Sequence, residues 1–338
     1  MVPVFKDGDS LDVGRYRPIT LLVVLAKAVE SVIKALVERN QQKTLHPSIM
    51  GFTKGRGREL AIFNLVETIL HRQFENRDGP AKHQRTYMLV SDEADAFDGM
   101  DRKAAEIALY EMGVRGKWWL LESNMTASQE VRVVVHGQLS APYKRSGGAA
   151  QGAVLTPTKY SAVKSYLQER LERMGLGVMV GDRCVTGVSY ADDGAALEES
   201  AQTMTWVLEQ YERESRELGN RYREKDQSMI VFGPSPNRKR AWKLGSIKVQ
   251  EKRQTMFLGK LMAANKIQGT RSQIKSVVDR ANRAQVMLTW AGCYEDNRSL
   301  SLLRTLYESL IESILIAGLT TIQMTEIGRD GASRARYE

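Results

Sequence analysis

Three aspartates at two places in the sequence have the type and spacing that can bind divalent cations. Asp92 follows the apolar, β-prone run 86–90, which predicts a strand that ends at an acidic cluster. Asp192 and Asp193 separate two short apolar runs, which predicts a hairpin with both acids at its tip. Carboxylates at strand ends have fixed directions, so two such elements side by side can hold two metal ions about 3.5–4 Å apart for in-line phosphoryl transfer. Mg²⁺ is favoured because it prefers hard oxygen ligands.

Each acidic site alone has an ordinary explanation. An Asp-Asp pair in a hairpin is most often a turn that tolerates aspartate, and a lone aspartate after a strand is most often solvated or caps a helix. A Tyr-x-Asp-Asp string arises by chance in a chain of this length at roughly a few per cent. The metal-binding hypothesis therefore depends on the combination of the two sites and on their order.

Helices and antiparallel strands are predicted in mixed order around these acids. Apolar residues at spacings of three and four predict helices over 22–36, 59–76, 102–128, 203–218 and 271–290, and another helix begins near Pro157. Short β-prone runs predict strands at 86–90 and 229–232 and hairpins at 131–138 and 184–197. Because no strict strand–helix–strand alternation occurs, the predicted fold class is α+β.

The charge balance favours a polyanionic partner. The 49 lysines and arginines outnumber the 40 acidic residues, which gives a net charge of +9. Such a surplus on a folded protein is typical of nucleic-acid binding, although a solvated basic surface is the alternative. An apolar fraction of 42% excludes a mainly disordered chain. The chain has no apolar run of about 18 residues, so no membrane span is expected. Cys184 and Cys293 form no metal motif, and their scarcity predicts an intracellular protein.

Six segments occur in the order that is typical of one family. Tyr190-Ala191-Asp192-Asp193 resembles the YADD box of reverse transcriptases. Residues 92–98 resemble their DxxxAFD box, residues 151–157 their QGxxLSP box and residues 257–259 their FLG element. Residues 15–19 and 51–56 resemble the NYRPI and GFRKGR segments of the non-LTR branch. The chain therefore resembles the reverse transcriptase domain of a non-LTR (LINE-type) retrotransposon.

This resemblance implies a right-hand polymerase fold with an antiparallel palm sheet and packed helices. It implies fingers at 1–85, a palm at 86–262 in which 103–145 partly rejoin the fingers, and a thumb with the start of a C-terminal connection at 263–338. The implied activity is RNA-directed DNA polymerase, which extends a primer 3′-hydroxyl with dNTPs on an RNA template. The implied cofactors are two Mg²⁺ ions, for which Mn²⁺ could substitute. The upstream endonuclease of such elements is expected to be missing from this chain, and a nuclear location is expected if the protein is expressed and functional.

The resemblance also assigns roles to individual residues. The metal ligands would be Asp92, Asp192 and Asp193, with a further contact from the carbonyl of Glu93. Phe97 falls on the steric-gate position, where a ring under the sugar would clash with a 2′-hydroxyl. Further dNTP contacts are implied for Lys6, Arg17, Gln151, Gly152 and Lys225, and template or primer contacts for Lys54, Arg56, Tyr190, Lys275, Arg280 and Arg283.

Several of these assignments have ordinary alternatives. Without the resemblance, the cations would be solvated surface charges and Phe97 a core ring. The lysine motif of the family is poorly kept around Lys225, and its usual arginine before the glycine-rich loop is absent, although Arg145 lies nearby in the sequence. A catalytically decayed or domesticated nucleic-acid-binding remnant is therefore the alternative function. An RNA-dependent RNA polymerase is a third hypothesis, against which Phe97 argues.

Overall fold

The computed structural model describes residues 1–6, 8–40, 44–74, 85–127, 129–145, 147–234, 240–264, 266–290 and 299–319. The predicted C-terminal connection therefore lies largely outside the described residues. The helices are α1 Val24–Asn40, α2 Arg58–Phe74, α3 Ala96–Gly99, α4 Arg102–Glu111, α5 Gly116–Ala127, α6 Thr156–Arg173, α7 Ala201–Leu218, α8 Lys266–Trp290, α9 Leu300–Leu306 and α10 Ser313–Leu319. Short 3₁₀ turns span Val13–Arg15 and Glu224–Asp226, and a π-helical turn spans Tyr307–Glu312.

The strands are β1 Val2–Phe5, β2 Tyr16–Ile19, β3 Thr86–Ala94, β4 Glu130–Val131, β5 Val134–Val135, β6 Gln138–Leu139, β7 Tyr143–Lys144, β8 Val178–Val180, β9 Arg183–Val185, β10 Gly187–Tyr190, β11 Asp193–Glu198, β12 Arg221–Tyr222, β13 Ser228–Phe232, β14 Trp242–Leu244, β15 Ile247–Glu251, β16 Gln254–Phe257 and β17 Lys260–Ala263.

The central sheet contains the strand that carries Asp92. Its order is β10–β11–β3–β13–β15–β14, and β12 pairs with the end of β3. The pairs β10/β11, β11/β3 and β3/β13 are antiparallel, whereas β15 runs parallel to β13. The sheet is thus antiparallel around the acids, as predicted, and mixed overall. The parallel pair arises because the chain first forms β14 and then returns beside β13.

Helices cover both faces of β3. Met88 and Val90 pack in a cluster with residues of α2, whereas Tyr87 and Leu89 pack in another cluster with residues of α6 and α7. Burial on both faces explains why this strand is almost continuously apolar. β3 extends into the acidic cluster as far as Ala94, further than the apolar run predicted. Since side chains alternate along a strand, Asp92 shares the face of Met88 and Val90, and the next residue shares the opposite face.

A third cluster joins α1, α4 and the first half of α6 through residues such as Ile33, Leu109 and Tyr160. The predicted helix 102–128 is two helices, α4 and α5. Gly113 lies between them with a φ of +98°, a conformation that favours glycine and ends α4, and Gly116, with a φ of +57°, begins α5. A smaller cluster of Ala281, Leu288 and Ile311 joins α8 to the C-terminal helices. Among the helices of the described ranges, none has the length and apolar character that crossing a membrane requires.

Two predicted hairpins differ in how closely they match the structure. The hairpin around His136-Gly137 forms as β5–β6, with positive φ at both turn residues. The predicted strand 184–190 is divided, because Cys184 belongs to a separate hairpin, β8–β9, and β10 begins at Gly187. A Cβ at Gly187 would lie 2.0 Å from the Ala195 carbonyl oxygen, so this close approach to β11 requires glycine.

Candidate active site

Strand pairing places the predicted metal-binding acids beside one another. Asp193 lies directly opposite Asp92 in the β11/β3 register, and the Glu93 amide donates to the Asp192 carbonyl oxygen at 3.1 Å. Directly opposed residues of antiparallel strands point to the same face of the sheet with Cβ atoms about 5 Å apart. On the other side of β3, Gln227 Nε2 donates to the Asp92 carbonyl oxygen at 2.9 Å. The backbone that carries the acids is therefore fixed from both sides.

The turn of the acidic hairpin packs tightly against the glycine-rich segment that follows α1. Ala191 has a φ of +54°, in the first central position of the turn, as in a type II′ turn. A Cβ at Gly51 would lie only 2.4 Å from the Ala191 nitrogen. The Met50 amide donates to the Ser189 carbonyl oxygen at 2.8 Å. Glycine at position 51 is therefore a steric requirement of the hairpin position.

Burial and mutual repulsion raise the pKa values of two of the acids. The pKa of Asp92 rises to about 6, chiefly through burial and then through repulsion by Asp192 and Asp226, while Arg223 opposes the shift. The pKa of Asp193 rises to about 7 through burial and then through Asp192 and Asp92. The ionised forms of these acids are thus disfavoured by burial and by repulsion, and a nearby cation would favour them.

A cleft of about 440 Å³ brings two of the acids together with most of the predicted nucleotide contacts. Asp92 and Asp192 line it, and so do Lys6 and Arg17 from the β1–β2 hairpin. The hairpin register opposes Val4 to Arg17, and the Lys6 amide donates to the Arg15 carbonyl oxygen at 2.8 Å. Both cations are exposed, so their charged groups are free to meet a ligand in the cleft.

Phe97 and Gln151 also line this cleft, and Asp98 connects them. Gln151 Nε2 donates to Asp98 Oδ2 at 2.8 Å, and the guanidinium of Arg145 pairs with Asp98 Oδ1. The Ala149 amide donates to the Phe97 carbonyl oxygen at 2.7 Å. The glycine-rich loop is therefore attached directly to the turn that carries Phe97. Arg145 Nη2 also donates to the Ala149 carbonyl oxygen at 2.7 Å, so it contacts the loop, and its replacement of the family's usual arginine stays a prediction.

Gly152 has a structural role in the same loop. Its φ is +108°, and a Cβ there would lie 2.7 Å from the Thr20 carbonyl oxygen. The Thr20 amide donates to the Gln151 carbonyl oxygen at 2.7 Å. Gly152 thus allows the segment after β2 to approach the loop, and its predicted contact with dNTP stays a prediction.

Two predicted site residues are placed differently from the other predicted nucleotide and metal contacts. Lys225 is exposed on the 3₁₀ turn and lies outside the cleft, whereas its neighbours Arg223 and Asp226 line it. The side chain of Glu93 is 5% exposed and hydrogen-bonded within the core, so only its backbone faces the acids. The expected contact of its carbonyl oxygen with a metal stays a prediction.

The predicted template and primer residues lie outside the cleft. Lys54 is exposed on its loop, whereas Arg56 Nη1 donates to the carbonyl oxygens of His46, Pro47 and Ile49 at 3.0, 3.3 and 2.8 Å. Tyr190 is half-buried against the core cluster of α2. On α8, Lys275 and Arg283 are exposed and Arg280 is half-buried. Their roles in binding stay predictions.

The structure adds Asp226 and Arg223 to the site. The sequence motifs assigned a role to neither residue. They reach the cleft because β12 pairs with the end of β3, which brings the following turn beside Asp92. Arg223 Nη2 lies 3.7 Å from Asp95 Oδ1. The signal available in the sequence was the run of charges at 221–226 just before a buried strand. A two-residue strand such as β12 is too short to show a periodic pattern, so the sequence does not predict its position.

Comparison with known proteins identifies the family. Residues 5–259 match the family described as reverse transcriptase (RNA-dependent DNA polymerase). The chain belongs to this family. Reverse transcriptases generally use divalent metal ions. The resemblance inferred from the motifs is therefore confirmed, and the α+β polymerase fold is confirmed with it.

Two curated relatives are retrotransposon proteins. The Retrovirus-related Pol polyprotein from type-1 retrotransposable element R2 of Popillia japonica is 26% identical over 198 residues, which cover 58% of this chain and 26% of that protein. The transposon TX1 uncharacterized 149 kDa protein of Xenopus laevis is 29% identical over 192 residues, covering 56% and 14%. The chain thus matches about a quarter or less of the length of these relatives. Both support a reverse transcriptase domain of the non-LTR type.

A solved structure shows the same fold. Telomerase from Candida tropicalis, in complex with the TWJ fragment of telomeric RNA, superposes with a TM-score of 0.50 and 12% identity, covering 71% of this chain and 36% of that one. At this identity the likeness concerns the fold. The predicted boundaries between fingers, palm and thumb stay predictions.

The residues at the acidic site fit divalent cations by their chemistry. Asp92, Asp192 and Asp193 offer hard carboxylate oxygens from β3 and the adjoining β10–β11 hairpin, and burial and mutual repulsion raise the pKa values of Asp92 and Asp193. Within the described part of the chain, no three acidic, histidine or cysteine side chains converge into a preformed metal site. Metal binding would therefore draw these side chains closer together.

Proposed function

We propose that this chain catalyses RNA-directed DNA synthesis, in which a primer 3′-hydroxyl is extended with dNTPs on an RNA template. The observation that carries the proposal is the pairing of Asp92 with Asp193, with Asp192 at the adjoining turn. Asp92 and Asp192 line a cleft that also presents Lys6 and Arg17. Membership of the reverse transcriptase family supports the class of reaction. Because the chain matches only part of its relatives, the proposal concerns this domain.

Asp92, Asp192 and Asp193 would hold two Mg²⁺ ions, or Mn²⁺ in their place. When bound, such ions activate the attacking hydroxyl and stabilise the charge on the leaving pyrophosphate. Cation binding would favour the ionised carboxylates, which repel one another in the protein alone. The Glu93 amide and Gln227 hold the backbone of Asp192 and Asp92 in place for this role.

Lys6 and Arg17 would bind the triphosphate of the incoming dNTP. The planar guanidinium of Arg17 matches two phosphate oxygens, and Lys6 adds a point charge. Gln151, tethered to Asp98, and the ring of Phe97 line the same cleft and would face the sugar. In that position the Phe97 ring would exclude a 2′-hydroxyl and select dNTPs over rNTPs.

The template and primer would be an RNA–DNA hybrid bound through backbone contacts. The net charge of +9 supports salt-dependent, sequence-tolerant binding. Lys54 and the α8 residues Lys275 and Arg283 offer exposed cations for this purpose. A polymerase of this kind that works on chromosomal DNA would act in the nucleus.

Primer extension on poly(rA) with an oligo(dT) primer and Mg²⁺ tests the proposal. The matched control is the double variant Asp192→Asn with Asp193→Asn. Extension by the wild type and none by the control supports the polymerase and its acids together. Salt-sensitive binding of the RNA–DNA hybrid without extension would instead support the decayed or domesticated binding module.

A further inference from the structure

A buried cluster of charged and hydroxyl groups lies directly behind the end of β3. It consists of Glu93, Tyr160, Lys164, Glu214 and Tyr222, each between 1% and 7% exposed. We call it the buried charge cluster. Lys164 Nζ donates to Glu214 Oε2 at 2.7 Å and also to Glu93. Tyr160 Oη donates to Glu93 Oε2 at 2.7 Å, and Tyr222 Oη donates to Glu93 Oε1 at 3.1 Å.

The stability of the fold does not explain this cluster. Two carboxylates and an ammonium lose their hydration on burial, and well-packed apolar side chains of similar volume are often equal or better for stability. The cluster instead fixes the orientation of its side chains. Glu93 accepts hydrogen bonds from three side chains on α6 and β12, so each donor is held in one orientation.

Tyr160 connects this cluster to the nucleotide cleft. Its ring meets the Phe97 ring edge-on, with centroids 5.2 Å apart and planes at 66°. On another side, Phe97 meets Phe52, with centroids 6.1 Å apart. The Tyr160 hydroxyl thus binds Glu93, which follows Asp92 in the chain. The Tyr160 ring packs against Phe97, the residue that would contact the sugar.

Phe97 needs external support because its own element is short. It lies in α3, a helix of only four residues that follows Asp95, whose φ is +58°. Such a turn does not restrain a ring as a long helix packed along its length would. The Phe97 ring is half-buried and lines the cleft, so how far it projects into the cleft depends on the side chains that contact it.

We propose that Tyr160 is a positioning residue. It sets how far the Phe97 ring projects into the cleft and thereby sets the discrimination against ribonucleotides. The inference rests on the proposed polymerase function. Loss of the Tyr160 hydroxyl frees this ring to withdraw from Phe97, and Phe97 can then move back to make room for a 2′-hydroxyl. Tyr222, which donates to the same carboxylate, contacts Tyr211 instead of Phe97 and should not have this effect.

The experiment compares Tyr160→Phe with Tyr222→Phe. Each removes one hydroxyl that binds Glu93 and keeps the aromatic ring, so both variants should fold and lose similar stability. The readout is kcat/KM for dTTP divided by kcat/KM for UTP, in primer extension on poly(rA). We expect the ratio to fall roughly fivefold or more in Tyr160→Phe, since misplacement of a group by about 1 Å can change rates by up to about 100-fold. The ratio should be unchanged in Tyr222→Phe.

Phe97→Ala and the double variant with Tyr160→Phe complete the design. If Tyr160 acts through Phe97, Tyr160→Phe should cause no further loss of selectivity once Phe97 is alanine. An unchanged ratio in Tyr160→Phe, an equal fall in Tyr222→Phe, or additive effects in the double variant would each overturn the inference while dTTP incorporation continues. Failure of the wild type to incorporate dTTP would overturn the proposed function, and this inference with it.

Discussion

Asp92 and Asp193 lie directly opposite each other on antiparallel strands, so their carboxylates share one face of the central sheet. Burial raises the pKa of both, and repulsion by their neighbour Asp192 raises it further. The arrangement is unfavourable for the protein alone and favourable for a bound cation. This opposition between stability and cation binding leads to two predictions.

Asp193→Asn should abolish activity while making the metal-free protein more stable at pH 8. Removal of the carboxylate eliminates a repelled, partly buried charge, so the melting temperature in EDTA should rise. Primer extension should fall by at least about 100-fold, as is usual when one electrostatic contact to a reacting group is lost. Thermal melting and extension assays on the same preparation check both parts. Asp182→Asn, on an exposed residue in the turn between β8 and β9 that does not line the cleft, is the control. A loss of activity accompanied by a loss of stability would contradict the prediction.

The stability of the metal-free protein should fall as the pH rises from about 4 to about 7, because the pKa values of Asp92 and Asp193 are raised from 3.8 to about 6 and about 7. An acid with a raised pKa in the folded state stabilises the fold at low pH, and this contribution is lost as the pH passes through that raised value. Melting temperatures measured in EDTA against pH should show the fall. At pH 8, Mg²⁺ should restore stability by binding the folded state. The double variant Asp92→Asn with Asp193→Asn should show a smaller fall and no gain from Mg²⁺.

The two acidic elements were predictable because their signals are local. Each aspartate interrupts or follows a short apolar run, and a strand or a tight hairpin is encoded within a few residues. The helix break at Gly113 was not predictable from spacing alone, because Val114 and Trp118 continue the apolar pattern across it. In the structure, the positive φ of Gly113 ends the helix.

The parts of the site that sequence could not place depend on long-range pairing. Arg223 and Asp226 enter the cleft through β12, whose pairing with β3 joins residues far apart in the chain. The parallel pairing of β15 with β13 likewise has no local signal. Lys164 is buried in α6, although lysine side chains are usually exposed. Its burial is explained by its hydrogen bonds to Glu93 and Glu214, which are distant in the sequence.

Gly51→Ala should lower activity through the acidic hairpin. The added Cβ would lie 2.4 Å from the Ala191 backbone nitrogen, so the hairpin or the loop must shift. Such overpacking typically costs about 1–3 kcal/mol, which unfolding in urea would measure. Gly57→Ala is the matched control in the same loop, where the nearest atom is the end of the Glu59 side chain at 3.4 Å. Equal behaviour of the two variants would show that the Gly51 contact does not hold the hairpin.

Lys54→Ala and Arg56→Ala should separate binding from structure in the glycine-rich loop. Arg56 Nη1 donates to three backbone carbonyl oxygens, so Arg56→Ala should destabilise the fold by about 1–3 kcal/mol. Lys54 is exposed, and Lys54→Ala should leave the melting temperature unchanged. If Lys54 neutralises one phosphate, its loss should reduce the slope of log affinity against log salt for an RNA–DNA hybrid by roughly 0.9. Fluorescence anisotropy across a salt series measures that slope. An unchanged slope in Lys54→Ala would remove this residue from the template surface, whereas a reduced slope without destabilisation in Arg56→Ala would show that Arg56 binds phosphate rather than bracing the loop.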